Sequence, residues 1–417
     1  MKTNKGMIAL MGSGELTATM VEVHKEILDG LGEDPRAVFL DTPAGFQLNC
    51  DQLSTRAIDY FRAHVQRPLA VASYKSHENT TEYDAERAFQ ILRQADYVLI
   101  GPGSPTYAVR QWSKSPIPRI LTDRIEHGGC LVAASAAALT VGRLTVPVYE
   151  IYKVGEELHW ARGMDILKHF GFDLVVVPHW NNAEGGSHDT RFCYMGEPRF
   201  RGLESFLPED VSVLGLDEHT ACLMDLEKDE GEIRGIGRIT VRRGDEELTL
   251  EKGDRFPLAV LRGESLLWSR KATEREVSGP QPAADKRHES FWDGVHRIER
   301  AFRDGLDALD GTASTNAVLE LDRAIWRAKE DLENEEFISQ ARDLLREMIV
   351  MLGTRLSVEP RIEARRFAPL VEKLLELRER MRREKRWQEA DAIRESLRHA
   401  EVIIEDEMGG SRWRLES

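Results

Sequence analysis

The stretch Gly128-Gly129-Cys130-Leu131-Val132-Ala133-Ala134-Ser135-Ala136-Ala137-Ala138-Leu139 decides how the first half of this chain is read. An apolar run, one hydroxyl and a string of minimal side chains is the pattern of a buried strand turning sharply into a helix. Such an elbow lifts the hydroxyl above the sheet, where a substrate can reach it. A small-residue strand packed closely under a helix, with Ser135 merely hydrogen-bonded, carries the same text. The run alone leaves both readings open.

Working outward, short β-rich runs alternate with amphipathic stretches. Met7 to Met11 ends at Gly12-Ser13-Gly14, Ala37 to Leu40 at Asp41-Thr42-Pro43, and Tyr97 to Ile100 at Gly101-Pro102-Gly103. Strand, loop and helix in repetition predict an α/β fold, a largely parallel sheet with helices on both faces. Active sites of such sheets lie beyond the carboxyl ends of the strands, where the Gly-rich loops and Ser135 fall. From Gly231 the pattern changes to Ile236 to Arg242 and Glu247 to Glu251 joined through Arg243-Gly244-Asp245-Glu246, which predicts a hairpin closing this domain. The charged, Pro- and Gly-containing stretch that follows reads as a linker. The expected division is an α/β domain over 1–268, a linker over 269–289 and an all-α domain over 290–417.

The chain's 417 residues suffice for two or three domains. A formal net charge of -15 argues against a surface that coats nucleic acid as a whole. A local basic patch must be found by position. The 4 cysteines, Cys50, Cys130, Cys193 and Cys222, are widely spaced without a C-x-x-C pair, so neither a disulfide framework nor a zinc site is expected. No metal or cofactor is called for. The first residues lack a signal-peptide apolar region and no apolar run reaches membrane-spanning length, so a cytoplasmic protein without a membrane partner is expected. Self-association is left open.

A catalytic serine needs a neutral imidazole in reach, a carboxylate to orient it, and N–H donors for the developing oxyanion. His179 ends the run Leu174-Val175-Val176-Val177-Pro178, which places it at the same sheet rim as Ser135. His159 lies in an amphipathic surface segment, His188 in a polar loop, and His219 in Asp217-Glu218-His219-Thr220. For a lone histidine, a structural role is the commoner one.

Four motifs in order are Gly101-Pro102-Gly103-Ser104, the serine turn, Pro178-His179-Trp180-Asn181-Asn182, and Gly215-Leu216-Asp217-Glu218-His219-Thr220-Ala221. Together they resemble the aspartyl dipeptidase and cyanophycinase family of serine peptidases, over roughly residues 6–262. The resemblance implies the class I glutamine amidotransferase-like fold, with Ser135 as nucleophile and His179 as general base. It further implies Glu150, fifteen positions after the serine, as the acidic member of a Ser-His-Glu triad. The N–H groups of Gly103 and Ala136 are the implied oxyanion donors, and Arg191 resembles an arginine that clamps a substrate carboxylate. Arg191 reads equally as a structural ion pair. The family turn usually reads Gly-x-Ser-Ala-Gly-Ala, whereas here Ala133 and Ala137 replace both glycines. Amidotransferase chemistry is disfavoured, because it needs a cysteine where Ser135 stands.

Residues 290–417 read as packed helices, with Leu370, Leu374, Leu377 and Met381 forming one apolar stripe and Ala390, Ile393 and Leu397 another. Between Arg361 and Arg398 there are 12 Lys or Arg against 8 Asp or Glu. The segment from Arg378 through Trp387 to Arg394, followed by Val402-Ile403-Ile404-Glu405-Asp406 and Trp413, is similar to the C-terminal end of cysteinyl-tRNA synthetase. The chain has no H-I-G-H-like or K-M-S-K-S-like segment and no zinc-ligand cluster, so it is not a complete synthetase. The resemblance implies tRNA as a partner of residues 290–417. Arg382, Arg383, Lys385, Arg386 and Arg394 would meet phosphates, and Trp387 or Trp413 would stack on a base. Two functions follow as expectations. One is a serine hydrolase of peptidase or amidase type, acting on a small peptide or acyl substrate and fused to a tRNA-binding helical module. The other is a non-catalytic tRNA- or protein-binding protein on a degenerate peptidase scaffold.

Overall fold

The computed structural model describes residues 5–185, 188–264, 290–399, 402–407 and 410–415. The strands are β1 (Met7–Met11), β2 (Ala37–Leu40), β3 (Leu69–Ala72), β4 (Tyr97–Ile100), β5 (Cys130–Ala134), β6 (Leu144–Thr145), β7 (Ala161–Arg162), β8 (Leu174–Val177), β9 (Ser212–Leu216), β10 (Thr220–Asp225), β11 (Glu230–Gly235), β12 (Arg238–Arg243), β13 (Glu246–Glu251) and β14 (Arg255–Pro257). Between them lie α1 (Val21–Gly30), α2 (Cys50–Tyr60), α3 (Glu82–Gln94), α4 (Pro105–Trp112), α5 (Ile117–Glu126), α6 (Ala136–Thr140), α7 (Ile166–His169) and α8 (Gly196–Glu204).

One sheet runs β14-β11-β10-β1-β5-β4-β2-β3, parallel from β1 through β3 and antiparallel from β1 through β14. A second runs β13-β12-β9-β8. The parallel strands β1, β2, β4 and β5 are apolar at every position because both faces are covered, whereas edge strand β3 leaves Ala70 exposed. Ile8, Leu10, Leu131 and Ala133 enter one core, and Ala9, Met11, Val132 and Ala134 the other. A third core, with Val175, Val177, Trp180 and Phe200, lies under β8 and β9. The sheet with covering helices is the one expected. The β12–β13 hairpin turns at Gly244, which adopts φ 58°. It does not close the α/β fold, since β14 follows and returns to the edge of the first sheet.

The chain divides into two compact units, and not at the expected boundary. The first comprises Met1–Arg297 and Arg323–Ser339, the second Ile298–Asp322 and Gln340–Ser417. The expected linker over 269–289 lies outside the described residues. Beyond it come α9 (Phe291–Asp307), α10 (Gly311–Glu330), α11 (Glu335–Arg383) and α12 (Trp387–His399). The second unit is helical as expected and ends in an added hairpin of β15 (Val402–Glu407) and β16 (Gly410–Leu415). Val402 and Ile404 alternate with residues on the other face, a period that fits a strand, and they pack with Trp413 on Val371, Leu375 and Leu397. Leu370 is 60% exposed, so the buried stripe of α11 sits one position later than its sequence spacing implies.

Candidate active site

Ser135 joins β5 to α6 with φ 50° and ψ -120°, and its N–H donates to the Met11 carbonyl of the neighbouring strand at 3.1 Å. A positive φ on a non-glycine residue costs on the order of 1–3 kcal/mol and persists only where its surroundings enforce it. The strain falls on the serine itself. Ala133 and Ala137 do not have positive φ, and both methyls are fully buried in the core. Alanine therefore fits at both family glycine positions, and the elbow is present without them.

His179 follows β8 through Pro178, also in the left-handed region at φ 50°. Its Nε2 lies 2.9 Å from Ser135 Oγ and its Nδ1 3.0 Å from Glu218 Oε1. An ionised Glu218 only accepts, so Nδ1 carries the proton and Nε2 is left to accept from the serine hydroxyl. The pair is secluded, with side chains 14% and 5% exposed. Glu218 sits in the turn between β9 and β10, where its N–H donates to Asn181 Oδ1 at 2.8 Å and Asn182 Nδ2 donates to Oε1 at 3.4 Å. The loop that carries the imidazole thus also grips its carboxylate.

The carboxylate on His179 is Glu218 and not Glu150. Glu150 begins the helical turn Glu150–Val154, where its Oε1 accepts a hydrogen bond from Thr106 Oγ1 at 2.6 Å and its Oε2 is buried without a partner among the described residues. Glu150 thus bonds Thr106 at the start of α4, while the imidazole Nδ1 is taken by Glu218. Glu218 stands in the last of the four motifs, immediately beyond a strand end on the same rim. That position is the signal by which it could have been found.

Gly103, at φ 144°, passes so close to Pro43 that a Cβ would lie 2.1 Å from its carbonyl carbon. Ala136 opens α6, and the N–H at this position has no acceptor within its own helix. Arg191 gives its Nε and Nη2 to the two oxygens of Asp189 at 2.9 and 2.8 Å, with Glu197 3.5 Å away. This is the ion-pair alternative and not a free clamp, and it holds the Asp189 carboxyl well below the usual carboxylate range. The remaining histidines fall elsewhere. His24 is a core residue between the Glu15 carbonyl and the Tyr97 hydroxyl, its pKa pushed down to about 4 by burial. His188 lies 3.3 Å from the Tyr152 hydroxyl, and His219 pairs with Glu333.

Sequence reading also missed Glu15, a buried carboxyl after β1 that lies against Gly101 after β4, 3.1 Å from where a Cβ would stand. Because β5 lies between β1 and β4, this side chain crosses the end of the strand that carries Ser135. Burial raises its pKa, against the opposing charges of His179, Arg56 and His219. All 4 cysteines are free and buried, and burial pushes the Cys193 and Cys222 thiols up to about 12. No group of three metal-ligating side chains occurs among the described residues, and none of their helices is long and apolar enough to cross a membrane.

In the second unit, Arg383, Lys385 and Arg394 are exposed and form no ion pair among the described residues. Arg382 pairs with Glu379, and Arg386 with Glu384 and Glu389. Trp387 is 56% exposed, whereas Trp413 packs against the small core of this unit.

Comparison with known proteins bears on both parts. Residues 364–414 match the cysteinyl-tRNA ligase anticodon binding domain family. Curated cysteine–tRNA ligases resemble the chain: one from Dehalococcoides mccartyi is 27% identical over 262 residues, covering 61% of this chain and 52% of that protein. One from Thermus thermophilus is 38% identical over 125 residues, covering 28% of this chain and 25% of that protein. The chain thus spans about half the length of the first and a quarter of the second. Among solved structures, a peptidase from an acI-B1 actinobacterium matches with a TM-score of 0.51 and 18% identity, covering 61% of this chain and 98% of that one. At that identity the likeness is one of fold. The chain therefore joins an N-terminal region that shares the fold of a peptidase to a C-terminal segment similar to the anticodon-binding domain of cysteinyl-tRNA ligases.

Proposed function

We propose that the first unit is a serine hydrolase that forms an acyl-enzyme on Ser135, and that the basic stretch of the second unit binds tRNA. The hydrogen-bonded series from Ser135 Oγ through His179 to Glu218, at 2.9 and 3.0 Å, carries the hydrolase reading. In this mechanism His179 Nε2 takes the hydroxyl proton as Oγ attacks the acyl carbon. Glu218 stabilises the resulting imidazolium and keeps its tautomer and orientation. The N–H groups of Ala136 and Gly103 receive the oxyanion. His179 then protonates the leaving amine or alcohol, and a water repeats the sequence to free Ser135. The substrate class is a small peptide, or an aminoacyl or peptidyl group brought on RNA. Arg191 does not select an acidic side chain in this reading, because Asp189 already occupies its fork.

For the second unit, Arg383, Lys385 and Arg394 are the phosphate contacts, assisted by Arg382 and Arg386. Trp387 is the stacking side chain, and Trp413 is a core residue. Fluorophosphonate labelling tests the hydrolase, with covalent modification of the wild type and none of Ser135→Ala as the expected result. Binding of the full chain to tRNA over a salt series tests the other half. Labelling without RNA binding removes the second part of the proposal. RNA binding without Ser135-dependent labelling returns the protein to the non-catalytic alternative.

A further inference from the structure

The turn Asp331-Leu332-Glu333, between α10 and α11, belongs to the first unit although it comes from far along the chain. The Ala18 N–H donates to the Asp331 carbonyl at 3.0 Å, and Arg56 Nη2 to the Glu333 carbonyl at 3.3 Å. Leu332, held at φ 58°, packs against the core cluster that contains Met11 and Ala134. The turn is therefore seated by backbone, guanidinium and apolar contacts together. It delivers one side chain, Glu333, whose Oε1 accepts from the Asn334 N–H at 2.8 Å and whose Oε2 lies 3.2 Å from His219 Nε2. The two side chains are 12% and 14% exposed, so water screens their interaction little.

His219 directly follows Glu218 and is held on every side. Its other ring nitrogen lies 3.4 and 3.3 Å from the hydroxyls of Thr17 and Thr19, over Gly14, where a Cβ would come within 2.6 Å. Its N–H donates to Ser13 Oγ at 3.3 Å, and its carbonyl accepts from the Ile236 N–H at 3.0 Å. The backbone there is left-handed at φ 55°, as it is at Ser135 and His179. A strained residue keeps its conformation only while its partners enforce it. Whatever fixes His219 fixes the adjoining peptide of Glu218.

We propose that Glu333 is a positioning residue for the hydrolase: by holding His219 it fixes the β9–β10 turn so that Glu218 stays on His179. The proposal rests on the Ser135–His179–Glu218 reading. The α/β unit is then completed by the α10–α11 turn, and both flanking helices continue into the second unit. The turn acts through His219 and touches neither substrate nor Ser135.

The test uses the full chain with Glu333→Ala and Glu333→Gln, with rates expressed per folded protein measured by circular dichroism. Two probes report, the fluorophosphonate labelling rate and p-nitrophenyl acetate turnover. Glu333→Ala is expected to slow labelling about tenfold to a hundredfold, the size of effect a misplaced catalytic group gives, and to lower kcat with KM little changed. Glu333→Gln, which keeps an acceptor at the same reach, is expected to retain most of the rate. Labelling of Glu333→Ala at the wild-type rate, with Ser135→Ala unlabelled, overturns the proposal while sparing the hydrolase. If the wild type is itself unlabelled, the hydrolase reading fails, and the low-field Nδ1 proton of His179 decides the positioning claim by NMR. Its loss in Glu333→Ala supports the positioning role, and its persistence overturns it.

Discussion

The Ser135–His179–Glu218 corner of the first unit and the basic stretch of the second handle charge in opposite ways. In the corner, His179, Glu218, His219 and Glu333 are 5–14% exposed, and each is held by a partner at hydrogen-bond distance. On the basic stretch, Arg383, Lys385 and Arg394 stand in water without an ion pair among the described residues. Buried pairs set geometry, and an error there costs orders of magnitude in rate. Exposed cations set attraction, which salt screens and which falls by a small step with each residue removed. Under the proposed function the two regions would serve different tasks, chemistry at a fixed point and encounter with a diffuse anion.

The largest effect that sharpens this contrast belongs to Glu218. Glu218→Gln leaves a neutral partner that no longer enforces the tautomer of His179, and the labelling rate of Ser135 should fall on the order of 10⁴-fold. Glu150→Gln, measured the same way, should leave the rate little changed, and an equal loss in both variants would break the distinction. Next comes the basic stretch. Replacing Arg383, Lys385 and Arg394 by Gln together should weaken tRNA binding and lower the slope of log affinity against log salt by about 1 per residue. A slope that does not move would remove these residues from the interface.

The Glu333–His219 pair should then appear in stability against pH. Burial opposes both charged forms, yet the Glu333 hydrogen bond and the charges of Glu333, Glu218 and Glu15 raise the His219 pKa above its ordinary 6.5. Burial likewise opposes ionised Glu333, but the His219 contact, with Arg56 nearby, draws its pKa below the ordinary 4.5. The raised histidine stabilises the fold below pH 6.5 and loses this as pH rises through its folded value. The depressed carboxyl stabilises above pH 4.5 and loses this as pH falls through its folded value. The difference in melting temperature between wild type and Glu333→Gln should therefore be largest between pH 4.5 and 6.5 and shrink on either side. A difference that grows above neutral pH contradicts the pairing. The smallest effect is expected at Ala137→Gly, which introduces the glycine of the resembled peptidase turn but removes a buried methyl from α6. Thermal melting should show a loss of about 1 kcal/mol, with labelling retained.

The parallel core was legible because its strands are buried on both faces, so Met7 to Met11, Ala37 to Leu40, Tyr97 to Ile100 and the strand before Ser135 are unbroken apolar runs. Ser135 and His179 each stand just beyond such a run, and the structure brings them together at the rim. Glu218 is also at a strand end, but its contact with His179 depends on how β8 and β9 pair, which spacing along the chain does not encode. The family resemblance implied Glu150 instead. Glu333 left no sequence signal at all, since it is a turn residue between helices that meets His219 only through tertiary packing. The β15–β16 hairpin was hidden by its acidic residues, which dilute a short alternating pattern.

Fluorophosphonate labelling of the full chain, followed by mapping of the modified peptide, tests the account most directly. One adduct on Ser135 is expected in the wild type, none in Ser135→Ala, and a greatly slowed adduct in Glu218→Gln. An unmodified Ser135 in the folded wild type, or equal labelling of wild type and Glu218→Gln, would contradict it.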